Sequence, residues 1–164
     1  MHRRLPSDLA LIIIGRAALA LERNSHKSGA NISLDLERTL GSCMLYCPAA
    51  DLSEADQHDT NRITEDGAEA VALAIAHRYR AWHVIRRMQR EEHGDWLLEE
   101  TRGNRRRVIA LEVSGVNRGG IAARLSEKLA QVAKSVDADQ RWAGVVGFEQ
   151  PTIALHFNKR NPHG

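Results

Sequence analysis

The stretch "RRRVIALEVSGVNRGG" (Arg105–Gly120) decides how this chain is read. Its apolar, β-branched run from Val108 to Val113 predicts a buried strand, and its glycine-rich exit predicts a loop into the next element. Glu112 interrupts that run between Leu111 and Val113. An unpaired carboxylate is costly in a buried strand, so it needs a partner. One of the chain's many arginines would serve, as would a place at the strand's exposed end or in a site shared with other acids.

Upstream, "RGN" (Arg102–Asn104) reads as a hairpin turn, since Gly103 and Asn104 tolerate positive φ. It joins the strand to "DWLLEET" (Asp95–Thr101), and the turn "EEHG" joins that in turn to "WHVIRRMQ" (Trp82–Gln89). Before these three strands, "EDGAEAVALAIAHRY" following Thr64 predicts a helix apolar nearly all round, hence buried on more than one side. Downstream, Ile121, Leu125, Leu129, Val132 and Val136 form one helical stripe, and "WAGVVGFE" and "TIALHFN" read as two strands parted at Pro151. The order is helix, three-strand meander, helix, strands: an α/β sandwich with a central mixed sheet.

The N-terminal part reads as helical. Ser7 and Asp8 are candidate caps for a helix running to about Asn24. "SLDLERTLGSCMLY" (Ser33–Tyr46) reads as a second helical stretch ending at Pro48, and "AADLSEADQHDTNR" (Ala49–Arg62) as a polar boundary. Residues 1–62 are therefore expected to be a helical extension packed on a core of residues 63–164.

At 164 residues, 43% hydrophobic and 27% charged, the chain has the size and composition of a domain with its own core. Its net charge of +2 does not announce a nucleic-acid binder, so any basic surface must be local. Aromatic residues make up 4%, too few for a base-stacking platform. The most apolar segment, "LALIIIGRAALAL" (Leu9–Leu21), is interrupted by Arg16 and is shorter than the roughly 20 residues a bilayer requires, so no membrane helix is expected. Two cysteines, Cys43 and Cys47, are too few for a disulfide framework, and with no evident leader they point to a cytoplasmic protein. Their C-x3-C spacing has no second pair to complete a zinc site.

Three acids could converge. Asp95 opens the strand neighbouring Glu112, and adjacent strands lie about 4.8 Å apart. On the preceding helix Glu69 lies near Leu73 and Ala76, with Glu65 one turn earlier on the same side, although an acid in a first helical turn needs no further explanation. Carboxylates converging without histidine or cysteine make a hard oxygen site suited to Mg²⁺ or Mn²⁺, and such sites hydrolyse phosphodiesters.

"EDGAEAVAL" on a helix, "HGDWLLEE" and "VIALEVSG" on successive strands, and a following helix with "LSEKLAQ" resemble the restriction-endonuclease-like, PD-(D/E)xK nuclease superfamily. The resemblance spans about Ile63 to Phe157 and names the expected fold: a restriction-endonuclease-like sandwich with an N-terminal helical extension. It implies metal ligands at Glu69 (or Glu65), Asp95 and Glu112. The superfamily places a lysine two residues after the last acid, and here Ser114 stands there, so E-x-K reads E-x-S. Lys128 is the substitute, at the edge of the apolar stripe with Arg124 and Gln131 on its side, its stem able to pack while the ammonium reaches the strand end.

The expected activity is therefore metal-dependent cleavage of nucleic acid, DNA rather than RNA, with Lys128, or Ser114 through water, positioning the nucleophile. Arg105, Arg106 and Arg107, placed beside the site by this reading, and Arg118 on its glycine-rich rim would meet the phosphate backbone. The alternative is a nuclease fold without catalysis that binds nucleic acid or scaffolds a larger assembly. Homodimerisation through the N-terminal helices is expected, because their apolar residues exceed what a small sheet can cover.

Overall fold

A computed structural model of the chain describes residues 5–37, 39–48, 59–135 and 138–159. Along the chain run α1 (Ser7–Arg23), β1 (Ala30–Asp35), β2 (Leu40–Leu45), α2 (Thr60–Arg80), β3 (His83–Arg87), β4 (Trp96–Arg102), β5 (Arg105–Val116), α3 (Ala122–Val132), β6 (Gln140–Gly147) and β7 (Thr152–Phe157). One turn of 3₁₀ helix, Arg90–Glu92, lies between β3 and β4.

The seven strands form one mixed sheet in the order β2-β1-β7-β6-β5-β4-β3. The meander β3-β4-β5 is antiparallel, while α3 crosses over from β5 to the parallel strand β6. β7 returns antiparallel to β6 and pairs parallel with β1. This is an α/β architecture with an N-terminal helix and helices interspersed among the strands. Among the described residues, no helix is long and apolar enough to cross a membrane.

One expectation fails in the N-terminal part. Ser33–Tyr46 is not helical: it supplies most of the β1–β2 hairpin, which extends the same sheet. The extension is therefore not all helical, and its strands complete the sheet edge. Residues 49–58 of the predicted boundary Ala49–Arg62 and the stripe residue Val136 lie outside the described residues. α2 begins a turn earlier than Thr64, because the Asp59 side chain accepts a hydrogen bond from the Arg62 N–H at 2.9 Å and caps the helix there. α1 keeps its predicted span, but Pro6 occupies its N-cap and no side chain caps it.

Alternation along β5 separates the two faces. Ile109, Leu111 and Val113 enter the main core with residues of α1 and α2, whereas Ala110 packs with Val132 of α3, Met88 and Leu97. α2 lies against β5 on one side and α1 on the other, which explains why it is buried nearly all round. Two glycines allow these approaches. A Cβ on Gly67 would lie 2.9 Å from the Cα of Ala17, and one on Gly115 would run into the carbonyl of Thr64. The buried Arg16 of α1 pairs with Asp66 of α2, so the charge that interrupts the apolar run is compensated.

Candidate functional site

The site follows from a difference in strand length. β4 begins at Trp96, opposite Leu111, so β5 runs on from Glu112 to Val116 without a β4 partner. Backbone groups on that open edge still need partners. The Val113 N–H donates to Oδ2 of Asp95 at 2.7 Å, and the Gly115 N–H to Oε2 of Glu65 at 2.9 Å. Two of the acids therefore replace the missing strand. Asp95 stands next across from Glu112 in this register and is held by its own backbone: its N–H donates to the Leu111 carbonyl at 3.0 Å, and its carbonyl accepts from the Met88 N–H at 2.8 Å.

The loop before Asp95 is fixed as well. Arg86 grips Glu92 through both guanidinium nitrogens, and this holds the Glu92 carboxyl down at about 2. His93 takes a left-handed backbone conformation at φ 56°, exposed to solvent, and Gly94 fits beneath Met88 where a Cβ would lie 2.8 Å from Sδ.

On the other side of the strand end, α3 lies over Glu112 and Ser114. Lys128 Nζ donates to Glu112 Oε1 at 2.6 Å and to Gln131 Oε1 at 3.2 Å, and both members of the ion pair are largely buried. Ser114, fully buried, accepts from Arg124 Nε at 2.9 Å and donates to Glu65 Oε1 at 3.1 Å. Arg124 also reaches Glu65 at 3.4 Å and Glu127 at 2.9 Å. The match is geometric: four residues of helix rise about 6 Å and two of strand about 6.6 Å, so Arg124 and Lys128 meet Ser114 and Glu112 in step. Both cations come from the helix, where the strand offers only serine.

The acids at this strand end disturb one another. Burial raises the Asp95 carboxyl above its ordinary range; the Val113 N–H, Lys128 and Arg87 oppose the rise, and Glu65 adds to it. Burial likewise raises Glu112, with Asp95 and Glu65 adding and Lys128 opposing. Asp95 Oδ1 and Glu112 Oε2 have no hydrogen-bond partner among the described residues. Two carboxylate oxygens without a hydrogen-bond partner, at facing positions beside β5, suit a hard cation such as Mg²⁺, which commonly takes one or two carboxylates and fills its remaining positions with water or phosphate oxygens. Among the described residues, no group of three His, Cys, Asp or Glu is arranged to hold a metal ion.

Glu69, which feels the Asp95 charge, is engaged by another cation. It is bonded to Arg87, whose guanidinium lies 5.3 Å over the Trp96 ring, and burial lifts its carboxyl to about 7. Of the two helix acids, Glu65 is the one brought to the strand end.

The arginine run is not beside the site. Arg105–Arg107 follow the hairpin turn at the far end of β5, and Glu112 is roughly 23 Å from Arg105 at about 3.3 Å per residue. Arg106 is bound to Glu99 at 2.6 Å, and Arg107 lies 3.9 Å from Glu100. Arg118 is exposed on the loop between β5 and α3, at the same end as Glu112. Sequence reasoning underrated Arg124: its spacing from Lys128, matched to Ser114 and Glu112, was the available signal.

No protein family, curated protein or solved structure matches this chain.

Proposed function

We propose that this chain is a divalent-metal-dependent nuclease of the restriction-endonuclease-like, PD-(D/E)xK kind, cleaving phosphodiesters in DNA. One observation carries the reading: Asp95, the residue before β4, stands across from Glu112 of β5, each has a carboxylate oxygen that no described residue takes up, and Lys128 Nζ is 2.6 Å from Glu112. The element order, a helix, an antiparallel meander, a crossover helix and a parallel strand, supports the fold assignment. Glu112 lies in the carboxyl-terminal half of β5, four residues before its end at Val116.

Asp95 and Glu112 would hold Mg²⁺ or Mn²⁺, which when bound supplies an activated water and charge stabilisation at the phosphate. Lys128 balances the charge of Glu112 and directs an N–H donor into the site, the task the motif lysine performs from the strand. Ser114 and Arg124 set the position of Glu65, which in turn holds the strand end through Gly115. Arg118, exposed at the rim, would meet a backbone phosphate. The Arg105–Arg107 hairpin would meet duplex about seven base-pair steps away, at about 3.4 Å per step, and so serve flanking backbone.

Plasmid DNA incubated with Mn²⁺ tests this. The wild-type chain is expected to nick or linearise it, and Glu112→Ala and Lys128→Ala to lose that activity; undiminished cleavage by either variant removes the residue from the mechanism. A second reading, a nuclease fold that binds nucleic acid without cutting it, is favoured by the engagement of Glu112 with Lys128 and of Glu69 with Arg87. Salt-sensitive DNA binding by a wild-type chain that leaves the plasmid intact would select it.

A further inference from the structure

We infer that Arg141 is the floor of an anion-binding site at the carboxyl end of α3, where it takes a phosphate group through both terminal nitrogens of its guanidinium. The inference is independent of the nuclease reading.

Arg141 lies on β6 between Ala110 of β5 and Asn158, whose N–H donates to the Arg141 carbonyl at 2.8 Å. The residue is only 8% exposed. Its Nε donates to the carbonyl of Ser135, just past the end of α3, and this bond fixes the plane of the guanidinium. A guanidinium carries five N–H donors, of which Nε has one. Nη1 and Nη2 carry the other four, and no described residue accepts any of them. Neither of these two nitrogens is sealed from solvent.

A cation buried this deeply is costly unless an anion pairs with it. Among the described residues no carboxylate forms an ion pair with Arg141. Asp139, two residues earlier in the chain, is engaged elsewhere: its Oδ2 accepts from the Val108 N–H at 2.8 Å. Ala110 and Val132 form an apolar cluster on the same face of the sheet, and the buried Ser135 hydroxyl, itself without a partner, is uncharged. The Ser135 carbonyl and the negative end of the α3 dipole offset part of the charge. The remainder calls for an anion from solution.

The donors also select the ligand. The two terminal nitrogens of a guanidinium form a rigid fork that matches two oxygens of one oxyanion. Two further cations flank this fork along the chain. Lys134 precedes Ser135, and Lys159 follows Asn158, the neighbour of Arg141 across the strands. Both lysines are exposed, and Lys159 has a loose surface partner in Glu37 at 3.7 Å. This local surplus of positive charge favours an anion of more than one charge. A phosphate group, at about −1.5 to −2 near neutral pH, meets that demand better than a singly charged carboxylate. Free phosphate and the terminal phosphate of a nucleotide share this chemistry.

Calorimetric titration of the full chain with inorganic phosphate reads the site. Chloride buffer of fixed ionic strength is used, with a chelator so that no divalent cation recruits phosphate to the acid pair. One phosphate per chain is expected to bind, and Arg141→Gln should weaken it by about tenfold or more, the loss of a charged fork. Arg141→Lys keeps a cation for the fold but not the fork, so it should also bind more weakly than the wild type; where Arg141→Gln does not fold, this comparison decides. Phosphate should raise the melting temperature of the wild-type chain and not that of Arg141→Gln. A deoxynucleoside 5′-monophosphate titrated in the same way separates the two sources: tighter binding than inorganic phosphate assigns the site to a nucleotide end, and weaker binding assigns it to free phosphate. A wild-type chain that binds no phosphate, or binding that survives the Arg141 substitutions unchanged, overturns the proposal.

Discussion

Glu112 and Glu69 are both buried acids, and their partners separate them. Glu112 was legible as an anomaly because its neighbours in sequence are apolar, and Lys128 was legible as its cation because a helical wheel places that lysine at the edge of the apolar stripe. Which helix acid meets the strand was not legible. Glu65 and Glu69 share a face one turn apart, and the packing of Gly115 against Thr64 brings Glu65 to this part of the strand. Glu69 makes a separate prediction. Burial, with Asp95 adding and Arg87 opposing, lifts its carboxyl from 4.5 to about 7. Between those values the folded chain keeps a proton that the unfolded chain has released, so stability declines as pH rises through about 7. The full change is on the order of 3 kcal/mol. Denaturant unfolding should therefore show the wild-type chain losing stability relative to Glu69→Gln between mildly acidic and mildly basic pH. A difference that stays constant across that range contradicts this account of the Glu69 environment.

Among the elements, the helices and the strands from β3 to β7 follow patterns readable in the chain: the stripe of α3, the all-round burial of α2, the apolar run of β5. The β1–β2 hairpin did not show itself. It turns between Leu36 and Thr39, with Glu37 at φ 65°, and the sequence there lacks the glycine or asparagine that ordinarily announces such a turn. Leucines at 34, 36, 40 and 45 fit a helical stripe loosely enough to hide two short strands. The contact between α2 and β5 supplies the prediction at this scale. Gly115→Ala puts a methyl group into the Thr64 carbonyl, so α2 must retreat from the strand end. The variant should lose about 1–3 kcal/mol in denaturant unfolding, the cost of overpacking a filled contact. It should also lose cleavage activity, because Glu65 retreats with the helix. A variant as stable as the wild type would show that the two elements are not in close contact.

Across the whole molecule, one sheet carries everything described here: the acid pair at one end of β5, the arginine hairpin at the other, and the buried Arg141 on β6. A linear reading placed the arginines beside Glu112 because seven residues are near in sequence. In an extended strand they are roughly 23 Å apart. What β5 does bring together is Asp95, Glu112 and the cations of α3, around two carboxylate oxygens that no described residue takes up. The central claim is that this pair binds a divalent cation, and Mn²⁺ titration followed by electron paramagnetic resonance tests it most directly. The account predicts one Mn²⁺ per chain, bound more tightly as pH rises and protons leave the raised Asp95 and Glu112 carboxyls. Asp95→Asn or Glu112→Gln should each weaken binding by about tenfold or more. A wild-type chain that binds no Mn²⁺, or binding that neither substitution changes, would contradict it.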